Sequence, residues 1–346
     1  MIKYDITFHP SWWHQNAGID FSQPFFDDPE YRMECDVKMR RTLYDHFGDF
    51  GIGEKDPQKR PLLGTDLLAA GYLHSQLMGC DIVYQPDNSP QVVCRKLDEE
   101  AILDVKAPDL DQSPVWQATQ KQIDYLLEKY GRVETYVNLM GVQNIAMDLM
   151  GQELFMAYYE DEDAVRGLLD EITKLSIDVG KRFRALSDDI SGGVTAIVRQ
   201  TVPGCYLTSN CSVEMVSQAQ YEEFLLAYDQ KLAETFGNYG IHHCGQSMEH
   251  VVEAYAKVPN LTFAEVGAGS DIAAVRRALP ETHLNARVSP ARLQTMSAEE
   301  TTAEVRRLYE EGKDAAGEKL SISCVGIDKN VPDENIRAFL SACAAI

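Results

Sequence analysis

The sequence predicts an α/β protein folded as a (β/α)8 TIM barrel, and three observations predict it. From about residue 115, short β-branched runs bounded by Gly, Asn or Pro alternate with long amphipathic helical patterns, and repeated β-then-α units imply a parallel sheet covered by helices. No Gly-x-Gly-x-x-Gly follows an early strand, so the open, doubly wound dinucleotide-binding sheet lacks its signature. Six strands are visible after residue 130, and the first third of the chain has room for the two that a closed barrel still needs.

Residues 1–75 read as an irregular N-terminal extension that contributes to the pocket. It comprises an aromatic opening (HPSWWHQNAGIDFSQPFFDDPEYR), a helix from about Asp28 to Phe47, and the turn-rich GDFGIGEKDPQKRPLLGTD. CDIVYQ and QVVCRKL flank the turn-forming PDNSP and predict a β-hairpin. The strands that follow are ETYVNLM (134–140), VTAIVRQ (194–200), YGIHHCG (239–245), LTFAEVG (261–267), THLNARV (282–288) and LSISCV (320–325). Between them lie helical patterns such as DEDAVRGLLDEITKLSIDVGKRFRAL and SAEETTAEVRRLYEEG, the latter with capping-box spacing at Ser297 and Glu300. No linker, repeat array or low-complexity tract divides residues 1–346, so one barrel domain is expected.

Composition narrows the function. Hydrophobic residues at 45 % and charged residues at 25 % supply a large core and leave no disorder-prone bulk. A formal charge of -22 repels nucleic acid and anionic lipid alike, which excludes partners bound mainly through phosphates. No apolar run is long enough for a membrane span, and MIKYDITFHP has no apolar h-region, so a cytoplasmic protein is expected. The eight cysteines are then thiols rather than a disulfide framework, most of them core filling.

Three predicted strand ends carry the chemistry. GIHHCG places His242 and Cys244 two residues apart, on one face of a strand, while His243 alternates to the other and packs against a helix. Glu265 ends the next strand and Cys324 ends the last. Barrel enzymes place their chemistry at such carboxyl ends. One imidazole, two thiolates and a carboxylate suit tetrahedral Zn²⁺, and without a Cys-x-x-Cys pair the metal reads as catalytic.

These residues resemble the uroporphyrinogen decarboxylase superfamily, and within it the zinc-dependent, corrinoid-linked methyltransferases. GVQNIAMDLMGQELFMAYYEDEDAVRGLLDEIT is similar to the family's Gly-Pro-x-Thr segment and its following helix, with Val142 and Asn144 in place of Pro and Thr. YEEFLLAYDQKLAETFGNYGIHHCG resembles the helix leading into the family's His-x-Cys strand, and SCVGIDKNVPDENIRAFL its terminal Cys and Pro, Glu-Asn-Ile helix. The resemblance covers nearly the whole chain. It implies a barrel whose zinc is held by His242, Cys244, Glu265 and Cys324. The decarboxylases' N-terminal Arg-Gln-Ala-Gly-Arg motif is absent; HPSWWHQNAG stands in that region.

HPSWWH, FFDDPEYRMECDVKMRRTLYDHFGDFGIGEK and AEVGAGSD resemble the methyltransferase component of O-demethylase systems. That resemblance implies methyl transfer from a methoxylated aromatic compound to the Co(I) corrinoid of a partner protein. Methyl transfer from a methylated corrinoid to a thiol, and a decarboxylase-type lyase, are the alternatives. The chemistry fits, since the phenolate leaving group, with a conjugate acid of pKa about 10, calls for Lewis-acid help. Trp12 and Trp13 are expected to wall an aromatic slot, with His9, Asn138, Gln143, Tyr206, Asn210 and Arg287 as further substrate-binding candidates. Cys211 lies in the loop GCYLTSNCS, and no spacing ties it to the metal.

Overall fold

Eleven strands are formed among the described residues, 2–191 and 194–346, of the computed structural model. They are β1 (Lys3–Phe8), β2 (Leu62–Gly64), β3 (Asp81–Gln85), β4 (Asn88–Val93), β5 (Glu134–Tyr136), β6 (Leu139–Met140), β7 (Tyr206–Ser209), β8 (Tyr239–His242), β9 (Leu261–Val266), β10 (His283–Val288) and β11 (Leu320–Ile327). Seven form one sheet in the order β1-β11-β10-β9-β8-β7-β6. All its ladders are parallel. β2 pairs in parallel with β5, which runs on through Val137 and Asn138 into β6, so the curved sheet has eight parallel positions. This is the predicted TIM-barrel class, and β3 and β4 form the predicted antiparallel hairpin.

The helices between the strands bury apolar stripes against this sheet. Helix Glu162–Arg184 starts at Asp161, whose side chain accepts from the Ala164 N–H, and buries Val165, Leu168, Leu169, Ile172, Leu175, Val179 and Phe183 at helical spacing. Each such burial stabilises by about 1.5–3 kcal/mol. Helix Ala298–Gly312 carries the predicted capping box of Ser297 and Glu300.

Two elements depart from the sequence reading. VTAIVRQ, expected as a strand, contains helix Ile197–Thr201, and the strand at this position is β7, in the segment read as a loop. A short β-branched run has no period that separates strand from buried helix, so packing decided. The first third of the chain supplies the two strands that the barrel still needed, since β1 pairs with β11 and β2 with β5. Gly64 makes the second pairing possible: its φ is +78°, and a Cβ there would meet the Tyr136 carbonyl oxygen at 2.1 Å.

Among the described residues no ladder joins β1 to β2, and helix Ile197–Thr201 lies along this seam. Lys3 donates to the Gln200 carbonyl, while the Arg199 guanidinium pairs with Asp66 and lies 3.9 Å from the Tyr136 ring centre. Arg60 joins Asp66 (3.1 Å) to Asp36 (2.5 Å). Asp5, on β1 beside this network, accepts from the Ile6 N–H with Oδ1, while its Oδ2 is buried without a partner. Burial, opposed by that hydrogen bond, pushes its carboxyl up to about 7. The fold therefore favours the neutral form, and the stability this gives is lost as pH rises from the ordinary value of about 3.9 through the folded one. Asp5→Asn is expected to raise Tm at about pH 8 and leave it nearly unchanged at about pH 4, as read by thermal unfolding.

Candidate metal centre

The chemistry-bearing side chains gather where β7, β8, β9 and β10 end. His242 closes β8 and Cys244 follows two positions on. Cys211 opens the 3-10 turn Cys211–Met215 that leaves β7. A ring nitrogen of His242 and the sulfurs of Cys211 and Cys244 all lie within 4.8 Å of one another, close enough to share one metal ion. His243 points the other way, with Nδ1 3.0 Å from the Tyr255 hydroxyl and Nε2 3.0 Å from the Ser247 carbonyl oxygen.

Glu265 stands behind this cluster. Its Oε2 is 2.7 Å from His242 Nδ1, which leaves Nε2 as the metal-facing nitrogen. A carboxylate behind an imidazole fixes the tautomer and raises ligand basicity. The sequence reading made Glu265 a fourth ligand; in the structure its Oε2 faces the His242 ring, and its Oε1 is buried without a hydrogen bond among the described residues. Gln at this position would present an amide to Nδ1–H, so Glu265→Gln is expected to weaken zinc binding by about 10–100-fold in chelator competition.

Cys324, the other expected ligand, stands apart from the group of Cys211, His242 and Cys244. It lies within β11, three residues before its end, and is fully buried. Ser321 and Ser323 bond the Asn285 side chain on the inner face of the sheet, so Cys324, one residue further, belongs to the opposite pleat face. On its own side it lies close enough to Cys343 of helix Asp333–Ala344 for charge on one thiol to be felt by the other. Burial raises the Cys324 thiol to about 12.

Cys211 is the thiol that joins His242 and Cys244 there. Its turn is held by the Gln143 amide, which donates to the Ser212 carbonyl at 2.8 Å, and by Asn144, which accepts from the Ser212 N–H at 2.9 Å and donates to the Ser209 carbonyl at 2.8 Å. Asn210 N–H donates to the His242 carbonyl, and its side chain donates to buried Asp229, which also accepts from Tyr221 and Tyr239. Gly267 passes close to the His-x-Cys loop, where a Cβ would meet the Gly245 carbonyl oxygen at 2.0 Å. The signal missed in the sequence is a cysteine two residues past the run YLTS. It carried no weight while the strand was placed at 194–200.

The cluster holds charge that a divalent cation matches. The Cys211 thiol donates to Cys244 and, foremost, holds it far below the ordinary thiol range; His242 and Arg287 add to this against burial. The same hydrogen bond, with burial, raises Cys211. Burial opposes protonation of His242, but Glu265 and then Cys244 raise it to about 9. Glu265 is lowered despite its burial, by His242 and Arg287. An imidazole nitrogen and two sulfurs, with an orphaned carboxylate oxygen behind them, fit zinc. A cleft of about 610 Å³ opens from Cys211 and Ser212 past Met140, Asn144 and Met147 to Pro90, Gln91 and Val92 of β4.

The other expected site residues fall elsewhere. Trp12 and Trp13 are buried in an aromatic core, with Trp12 stacked on Phe8 at 3.9 Å and edge-on to Trp13 at 5.0 Å, so they wall no open slot. Tyr206 begins β7 at the end away from the site and stacks on Phe236 at 4.2 Å. His9 caps helix Pro10–Ala17 through Ser11. Asn138 accepts from the Ser209 hydroxyl at 2.8 Å. Gln143 and Asn210 hold the cluster's backbone as described, and Arg287 reaches toward it with Nε 3.5 Å from Glu265 Oε1.

Fold and site together define an α/β-barrel protein with a thiol and imidazole centre at the carboxyl ends of its strands. The chain belongs to the uroporphyrinogen decarboxylase (URO-D) family, whose sequence profile matches residues 72–346. No curated protein sequence matches it. Among solved structures it is similar to a methyltransferase from Methanosarcina mazei, with a TM-score of 0.65 and 17 % identity over 99 % of this chain and 94 % of that one. A B12-independent methionine synthase from Shewanella sp. W3-18-1 matches at a TM-score of 0.48 and 12 % identity, over 100 % and 96 % of the two chains. No helix among the described residues is long and apolar enough to cross a membrane.

Proposed function

We propose that this chain is a zinc-dependent methyltransferase, moving a methyl group from a methoxylated aromatic compound to the Co(I) corrinoid of a partner protein in the cytoplasm. The observation that carries the reading is the convergence of Cys211, His242 and Cys244, with Cys211 at the rim of a cleft large enough for a substituted ring. Family membership supports it, as does the description of the Methanosarcina relative as a methyltransferase. A zinc ion held by those three residues would supply a Lewis acid, and the partner's corrinoid the methyl acceptor.

The chain's own residues do the positioning. Glu265 fixes the His242 ring, Asn144 and Gln143 set the Cys211 turn, and Met140, Met147 and Val92 offer the cleft apolar surface for a ring. Of the three arginines that a decarboxylase would turn on its substrate's carboxylates, Arg40 is committed to Asp36 and Glu54 and Arg41 to Asp45, which leaves Arg287 to that alternative.

The test is incubation of zinc-loaded protein with a reduced corrinoid protein and a panel of methoxylated aromatics. The expected result is a free phenol and a methyl–cobalt absorption spectrum, both lost on chelation. Methyl found on an added thiol would move the assignment to the thiol-transferring branch. Carbon dioxide release that survives chelation would replace it with the lyase.

A further inference from the structure

We infer that Arg287 is an anion-recognition residue of this centre, and that the molecule bound there presents a carboxylate to it. The inference rests on the proposed methyltransferase reading for its choice of ligand, and on geometry for its site. Arg287 lies on β10 opposite Ser323 of β11, two residues beyond Asn285 and therefore on the same inner face. Its side chain is 11 % exposed, yet among the described residues Nε and Nη1 are buried without a hydrogen-bond acceptor. Its Nη2 reaches the Val325 carbonyl at 3.5 Å.

The other deeply buried arginines of this chain behave differently. Arg32 donates to the Phe25, Phe26 and Leu62 carbonyls and to Gln122, Arg40 donates to Asp36 and Glu54, and Arg276 is surrounded by carbonyls from Leu279 to Lys319. Buried donors in native proteins are satisfied, so an unsatisfied pair beside the metal centre marks where a partner belongs. Glu265 does not fill the role. Its Oε1 forms an ion pair with Nε at 3.5 Å but no hydrogen bond, while Oε2 is held by His242. An arginine present only to neutralise the thiolates and Glu265 would have no reason to leave its donors open. The planar fork of a guanidinium matches a carboxylate with two parallel hydrogen bonds.

The experiment is calorimetric titration of zinc-loaded wild type, Arg287→Gln and Arg287→Lys with 3-methoxybenzoate and with neutral 3-methoxybenzyl alcohol, with zinc content measured for each protein. Wild type is expected to bind the carboxylate at least about 10-fold tighter than the alcohol; Arg287→Gln should lose about 10–100-fold for the carboxylate alone, and Arg287→Lys should recover part of it. Zinc content should be unchanged. Equal affinity of wild type for the two ligands, absence of carboxylate binding, an equal loss for both ligands in Arg287→Gln, or loss of zinc from that variant would each overturn the inference. Because binding is read without the corrinoid acceptor, charge discrimination that persists without methyl transfer would sink only the methyltransferase reading.

Discussion

Cys211→Ala is expected to leave the purified protein without stoichiometric zinc, as Cys244→Ala should, whereas Cys324→Ala keeps it. The first two sulfurs belong to the cluster within 4.8 Å, and the third lies on the other pleat face of β11, behind a buried layer. Losing a thiolate ligand should cost more than the about 10–100-fold typical of losing a hydrogen-bond partner behind a ligand. Elemental analysis of the three variants beside wild type decides the matter, with circular dichroism to confirm their folds. Zinc retained in Cys211→Ala and lost in Cys324→Ala would mean that the last strand presents the cysteine to the barrel interior after all.

Arg199→Ala is expected to destabilise the fold by about 3 kcal/mol or more, because it leaves Asp66 buried with only Arg60 for compensation. The pH dependence carries the sign. In the wild type, Arg199 and Arg60 hold the Asp66 carboxyl below its ordinary range despite burial. That stability is present above the unfolded value of about 3.9 and is lost as pH falls through the lower folded one. Removing Arg199 lets burial weigh more heavily, so the deficit should be largest near neutral pH and shrink on acidification. Urea unfolding across this range measures it, and pairing the change with Asp66→Asn should recover part of the loss. A deficit independent of pH would show that Arg199 acts through its stacking on Tyr136 and not through charge.

Much of the fold was legible because periodicity survives burial. Five of the six runs read as strands after residue 130 contain strands, and His242 and Cys244 face one way because a strand alternates whatever surrounds it. The failures share a cause. VTAIVRQ and YLTS are both short and apolar, and nothing local says which of them pairs with β6 and β8. Placing the strand one segment early hid Cys211 in a supposed loop. For Cys324 the matter is parity: a single residue separates the inner face, where Ser323 sits, from the outer.

The sequence by itself determined the α/β class, the helix caps at Ser297 and Glu300, the same-face pair His242 and Cys244, and the expectation that a carboxylate on the next strand meets them. Those follow from residue types and from periods of 2 and 3.6, which are local. Only the tertiary structure decided that Cys211 completes the cluster, that Glu265 orients His242, that Cys324 faces the helices, and that the tryptophans are core. Each depends on strand register and on which segments neighbour one another across the sheet, quantities set by packing between residues far apart in the chain.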